Sequence, residues 1–94
     1  MQLGPDTAIV RNDEVLGEAV GGETVLLELG ADRYFRLNGT GASLWQELAR
    51  PVTPRALASI LASEHGVDEQ RALAEVAAFL RALAERNLIH PVSL

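Results

Sequence analysis

The feature that most constrains this chain is a change of hydrophobic period at the turn-type segment Asn38–Gly41. Before it, Thr24–Leu29 is a run rich in branched apolar residues, and Arg33–Leu37 alternates polar and apolar side chains with the period of a strand. After it, apolar residues recur at the spacing of helices. Strands followed by helices predict an α+β fold, here a three-stranded antiparallel sheet followed by three helices.

The sheet is expected within about residues 7–37. Ala8–Val10 is a short apolar run ended by a polar turn, and Glu14–Leu16 continues or re-enters the sheet. The stretch Gly17–Gly22 is interpreted as a linker. The two stronger runs, Thr24–Leu29 and Arg33–Leu37, are separated by a short glycine-containing turn at residues 30–32 and therefore predict a hairpin.

The helical part is expected within about residues 39–87. The first helix is capped by Asn38 or Thr40, since both side chains can accept a hydrogen bond from a free backbone N–H. The second begins with Thr53 as N-cap and Pro54 as first helical residue, and it ends at Gly66.

The third helix is the longest and begins after Asp68, with Asn87 as its stop residue. Its main apolar stripe lies at i, i+3, i+7 and i+10 and consists of Leu73, Val76, Leu80 and Leu83. Ala72 and Phe79 widen this face, and Phe79 lies off the main stripe. The following Leu88–His90 predicts a short additional strand.

Composition excludes several classes of chemistry. The sequence has no cysteine, which excludes disulfides, thiolate catalysis and cysteine-ligated zinc. The two histidines, His65 and His90, have no accompanying nucleophile or metal-ligand spacing. Gly39–Gly41 lacks the lysine and the longer glycine spacing of a phosphate-binding loop. We therefore expect no enzyme activity, no metal, no cofactor and no small-molecule substrate.

The length of 94 residues predicts one domain spanning residues 1–94. The N-terminus has neither the basic nor the apolar region of a signal peptide, and no apolar run is long enough to span a bilayer. The sequence thus predicts a cytoplasmic protein without a membrane partner.

Three segments resemble, in order, the signatures of PqqD-like proteins. Tyr34–Trp45 resembles the pattern aromatic-aromatic-x-Leu-Asn-x-x-Gly-x-x-(Ile/Leu)-Trp. Thr53–Leu57 is similar to the family's Thr-(Val/Pro)-x-x-(Leu/Ile) helix start. Phe79–Leu83 with Leu88–Ile89 is similar to its closing Phe-Leu-x-x-Leu-x-x-x-x-Leu-Ile pattern. The resemblance covers Val25–His90.

This resemblance implies a winged helix-turn-helix fold that acts as a recognition element in the biosynthesis of ribosomally made, modified peptides. Such domains bind the leader segment of a precursor peptide, which adds a strand to the third strand of the sheet and lies against the third helix. The wording of the motif is most similar to the lasso-peptide branch, whose partner enzyme is a leader peptidase. A chaperone for a radical-SAM enzyme in cofactor synthesis is the alternative within the family.

The residues themselves suggest where a peptide would bind. An open sheet edge offers unpaired backbone groups, and a neighbouring helix supplies side-chain pockets. We expect Phe79 to be the principal anchor, and Arg33 and Arg36 to attract acidic residues of the peptide. The predicted peptide-binding residues are Arg33, Tyr34, Phe35, Arg36 and Leu37 on the strand and Ala72, Val76, Phe79 and Leu83 on the helix. Phe35 and Leu37 would also face the core, with Arg36 on the other face.

Two other interpretations compete with peptide binding. A winged helix can bind DNA, but the net charge is −5 and the third helix carries about as many acids as arginines, which is unfavourable for phosphate contact. We therefore expect no nucleic-acid partner. The second is an oligomerisation domain whose apolar groove is filled by another copy of the chain.

Overall fold

A computed structural model describes residues 4–21, 23–28 and 33–92. It confirms the α+β class, with three helices and a three-stranded antiparallel sheet. The residues predicted to form the hairpin turn, together with Leu29 and Gly22, lie outside the described part. In chain order the elements are β1 (Ile9–Arg11), β2 (Val15–Val20), β3 (Glu23–Glu28), β4 (Arg33–Leu37), α1 (Gly39–Glu47), α2 (Pro54–His65), α3 (Glu69–Glu85) and β5 (Ile89–Pro91).

The three-stranded sheet has the order β2-β3-β4, with β3 in the centre. Its first strand is β2, so the stretch interpreted as a linker is largely strand. The assignment of Ala8–Val10 to this sheet is wrong: β1 pairs instead with β5, with Ile9 opposite Pro91. Ile9 also forms an isolated antiparallel bridge with Val52. Its side chain is fully buried, and these backbone pairings satisfy the polar groups that such burial removes from water.

The sheet has one face toward the helices and one toward solvent. Phe35 and Leu37 of β4 pack against the core, as expected from the alternation, and Leu26 opposite Phe35 is fully buried. On the outer face, Leu27 lies between Leu16 of β2 and Tyr34 of β4, and all three are exposed. The inner face thus packs the sheet against the helices, and β4 is one edge strand of the sheet.

Local capping explains where the helices begin and end. Asn38, Thr53 and Asp68 each accept a hydrogen bond from the backbone N–H three residues ahead, at 3.0, 3.1 and 2.9 Å. Asn38 rather than Thr40 is therefore the cap of α1. Gly66 and Asn87 adopt positive φ angles of 66° and 58° after α2 and α3, as expected of stop residues.

One hydrophobic core joins the sheets and the three helices. The largest fully buried side chains come from β1, β3, the three helices and the residues that follow α1 and α3: Trp45, Ile9, Leu26, Leu48, Leu57, Leu80, Leu88 and Val76. Within the described residues, no helix is both long enough and apolar enough to cross a bilayer.

Candidate functional site

The strand β4 is an open edge of the sheet. One edge of β4 forms hydrogen bonds with β3, from Arg33 opposite Glu28 to Leu37 opposite Thr24. No other described strand pairs with its second edge. Backbone N–H and C=O groups therefore remain available there for an added strand.

A groove runs along this edge between β4, α1 and α3. Its two cavities share Arg36, Leu37 and Phe79 in their walls. Because Phe79 belongs to both cavities, its half-buried ring divides the groove. We refer to the two halves as the Glu75 cavity and the Arg86 cavity, after the charged residue that each contains alone.

The Glu75 cavity has a volume of about 360 Å³ and lies beside the start of α1. Its apolar lining comes from four elements, because Leu37 of β4, Leu44 of α1 and Leu61 of α2 join Phe79 of α3 there. Its polar border consists of Arg36, Asn38, Thr40 and Glu75, and the buried Gly41 also lines it. This half therefore offers an apolar pocket with one positive and one negative residue at its border, Arg36 and Glu75.

The Arg86 cavity has a volume of about 230 Å³ and lies beside the end of α3. Besides the shared residues it is lined by Phe35, Ala82, Leu83, Arg86 and Leu88. Most of these side chains are apolar, and the charges come from arginine alone. This half therefore offers an apolar pocket with a positive border.

Arginine side chains are arranged around Phe35 at this end of the groove. The guanidinium carbon of Arg86 lies 5.3 Å from the centroid of the Phe35 ring, and that of Arg33 lies 5.9 Å from it. Arg33 also forms a salt bridge of 3.0 Å with Glu28. Arg86 donates a hydrogen bond of 3.2 Å to the carbonyl of Ala82. Both guanidinium groups are thus held near the ring, within the distance at which cation–π attraction operates.

The structure brings several of the predicted strand residues to the groove. Phe35 and Leu37 line it from the inner face of the sheet. Arg36 also lies in the walls of both cavities, although strand alternation directs its side chain to the outer face. Tyr34 lines neither cavity, because its side chain, which is 71% exposed, points to the outer face of the sheet. Arg33 stands beside the Arg86 cavity through its stacking on Phe35. Backbone pairing of these residues with a guest peptide remains a prediction.

On the helix side the prediction needs correction. Phe79 and Leu83 contribute to the groove walls, Leu83 from a nearly buried position. Ala72 and Val76 have no exposed surface and line neither cavity, so their predicted place in the groove is not what the structure shows. Both belong to the buried stripe of α3 and pack within the hydrophobic core.

Of the groove residues that sequence reasoning missed, three lie on the neighbouring stripe of α3 and its C-terminal end. Glu75, Ala82 and Arg86 stand four residues before, three after and seven after Phe79. This is the spacing of one helical face. The sequence therefore contains the signal, since the position of Phe79 off the core stripe is visible in the periodicity alone.

The arrangement combines an open backbone edge, two apolar pockets and a charged border. In the part of the chain that the structure describes, no group of three or more acidic or histidine side chains is placed to hold a metal ion. Its chemistry is that of non-covalent binding of an extended chain, because such an edge satisfies backbone groups and such pockets take side chains.

A family model described as coenzyme PQQ synthesis protein D matches residues 23–89. No curated protein sequence matches the chain. Among solved structures, TbiB1 in complex with the TbiA(beta) leader peptide is similar, with 28% identity, a TM-score of 0.81 and coverage of 90% of this chain and 99% of that one. Lasso peptide synthetase B1 complexed with the leader peptide has 28% identity, a TM-score of 0.78 and coverage of 88% and 98%.

A third similar structure is the solution structure of the PqqD truncation of Methylobacterium extorquens PqqCD, described as a stand-alone recognition element for ribosomally synthesized and post-translationally modified peptides. It has 18% identity and a TM-score of 0.79, and the match covers 95% of each chain. At this identity the likeness concerns the fold alone.

Proposed function

Because this chain belongs to the family of coenzyme PQQ synthesis protein D, we propose that it binds the leader segment of a ribosomally made precursor peptide by strand addition at β4. The observation that carries this proposal is the coincidence of an open sheet edge with a two-part apolar groove beside it. Binding, rather than catalysis, is the activity that we assign to this site.

Backbone pairing and side-chain pockets have different parts in this binding. Hydrogen bonds to β4 are nearly independent of the guest's sequence, so they hold any extended segment. Side chains of an added strand alternate between two faces, and only one face meets the groove. The two cavities therefore read alternate side chains on one face of the guest.

The free energy gained by burying two apolar side chains of the guest is comparable to the cost of ordering it. Ordering a disordered segment costs about 2–5 kcal/mol. Burying one large apolar side chain contributes about 1.5–3 kcal/mol, so two such side chains, one in each cavity, offset this cost. Selectivity for a particular leader then depends on filling both halves of the groove.

Two of the similar structures support the choice of guest, because each is a complex with a leader peptide and matches most of the present chain. One of them is named as a lasso peptide synthetase component. We propose accordingly that this chain presents its bound leader to a separate processing enzyme, a leader peptidase of a lasso-peptide pathway. The shared core of the described residues supports one recognition domain spanning residues 1–94.

The test uses the isolated chain and a phage-displayed library of random peptides long enough to span β4 and both cavities. We expect enrichment of peptides that carry apolar residues at alternating positions. With the strongest peptide bound, amide hydrogen exchange should slow at alternate residues of β4, because only every second N–H points toward the added strand. The edge strand β2 provides the internal control and should keep its exchange rates.

Two results would contradict the proposal. Failure of the library to enrich any sequence family would remove the peptide-binding activity itself. Protection of β2, or of neither edge, by an enriched peptide would show that the guest binds elsewhere than at β4.

A further inference from the structure

The two halves of the groove differ in the charged side chains that line them. Arg36 is shared, but the Arg86 cavity adds a second arginine, whereas the Glu75 cavity adds a carboxylate. Arg33 adds a further positive group beside the Arg86 cavity, although its salt bridge with Glu28 offsets that charge. The groove is therefore polarised along β4, with its positive end at the C-terminus of α3.

The positive charges at this end are largely uncompensated. Among the described residues, neither Arg36 nor Arg86 forms an ion pair, whereas Glu28 is engaged by Arg33 and Glu75 by Arg71. Arg86 is held in place by its stacking on Phe35 and by its bond to the Ala82 carbonyl. A fixed guanidinium loses less side-chain freedom when it binds a carboxylate.

We infer that the groove selects leader peptides that place an acidic side chain beside Arg86, next to the apolar residue of the Arg86 cavity. This rests on the proposed function and specifies the chemical class of its ligand. The guest is thus an extended peptide with two apolar anchors and an acidic residue at one end of them.

Charge has a specific task in this site, which is to fix the register. A strand displaced by two residues keeps the same alternation of faces and equivalent backbone hydrogen bonds. Neither the edge nor the apolar pockets distinguish such displaced positions strongly when the guest is rich in apolar residues. A displacement by two residues moves a guest carboxylate by about 7 Å along the edge. A carboxylate that meets Arg86 in one register therefore loses this attractive contact in the displaced one, which separates the two registers in energy.

The experiment repeats the library selection with the parent chain and with Arg86→Glu. The parent should enrich Asp or Glu at one position with constant spacing from the apolar anchors. Arg86→Glu should enrich Lys or Arg at that same position. The matched control is Arg81→Glu, because Arg81 is exposed on α3 and lines neither cavity. This substitution changes the net charge by the same amount as Arg86→Glu.

A titration measures the same contact quantitatively. Changing the acidic residue of a selected peptide to its amide should weaken binding to the parent about two- to fivefold, as for an exposed ion pair. The same peptide change should have no effect on Arg86→Gln. The effect should also vanish in about 1 M NaCl, where the screening length is about 3 Å.

The outcomes separate this inference from the proposed function. Enrichment of apolar anchors without a fixed acidic position would overturn the inference and leave leader binding intact. An equal response of Arg81→Glu would assign the effect to net charge and would also overturn it. No enrichment at all would overturn both. Arg86→Gln serves as the second variant if Arg86→Glu does not fold, and it should lose the preference for an acidic residue at that position.

Discussion

The backbone of Gly41 in α1 lies directly against the ring of Phe79 in α3. A Cβ atom placed on Gly41 would stand 3.2 Å from Cε1 of Phe79 and 3.4 Å from Cβ of Leu37. Both neighbours line the two cavities of the groove. The glycine therefore allows the start of α1 to approach the groove closely and leaves the ring of Phe79 room in its observed position.

Replacing Gly41 by alanine should weaken peptide binding more than it changes stability. Alanine gains up to about 0.5–1 kcal/mol over glycine in a helix, which offsets part of the crowding against Phe79. The displaced ring would narrow the groove, and we expect a several-fold loss of affinity for a selected peptide, measured by calorimetry alongside urea unfolding. Gly39→Ala is the control, because nothing lies within 4 Å of its added Cβ. An equal change of peptide affinity in Gly41→Ala and Gly39→Ala would contradict the role of Gly41.

Phe79→Ala should reduce affinity for a selected peptide by about 1 kcal/mol or more while the chain stays folded, as expected for an aromatic interface anchor. Leu73→Ala is the matched control, since Leu73 is also half-buried on α3 and packs against the core but lines neither cavity. It should lower the free energy of unfolding without altering the affinity of the folded protein. Unchanged affinity in Phe79→Ala would remove this residue from the site.

The local features of the fold are predictable from the sequence because their causes are local. Asn38, Thr53 and Asp68 cap their helices through a backbone N–H only three residues away, and Gly66 and Asn87 adopt conformations that their residue types favour. Such contacts are specified within a few residues of sequence. Since they agree with the hydrophobic periodicity, the sequence alone is enough to predict the order of the helices and the fold class.

The pairing of the first strand is not predictable in the same way. Ile9 lies opposite Pro91, near the other end of the chain. An apolar run shows that a strand is buried but not which distant segment completes it. Conversely, Val15–Val20 is almost entirely exposed, so its residues lack the alternation that identifies a half-buried strand.

The sequence places the site on the correct helix but partly on the wrong stripe. Periodicity identifies the buried residues of α3, and it therefore favours Ala72 and Val76. The residues that border the open edge, Glu75 and Arg86, are exposed and charged, and their importance depends on where β4 lies. Only tertiary structure supplies that position.

The segment before β1 is attached to α2 by a pair whose contribution depends on pH. Nε of Arg55 donates a hydrogen bond of 3.0 Å to Asp6, and its backbone N–H donates one to the carbonyl of Pro5. The side-chain hydrogen bond and then the charge of Arg55 lower the pKa of Asp6 from its ordinary value of 3.8.

Since the folded state lowers this pKa, the stabilisation is complete above the ordinary value and is lost as the pH falls through the lower, folded value. The parent should therefore exceed Asp6→Asn in free energy of unfolding by a constant small amount near neutral pH. The difference should shrink below about pH 4. Urea unfolding of both proteins across this range checks it, and a difference that grows with acid would contradict the assigned sign.

Gly17→Ala should destabilise the chain without affecting the groove. A Cβ on Gly17 would lie 2.8 Å from Nε1 of Trp45, closer than side chains tolerate. The indole is almost fully buried and cannot move without disturbing its neighbours, so we expect a loss of about 1–3 kcal/mol, typical of overpacking. Without this contact, alanine would stabilise a strand interior by about 0.5–1 kcal/mol relative to glycine. The expected destabilisation therefore comes from the crowding against Trp45. Because β2 is the edge opposite β4, the affinity of the folded protein for a selected peptide should equal that of the parent. A more stable Gly17→Ala protein would show that the indole has room to move.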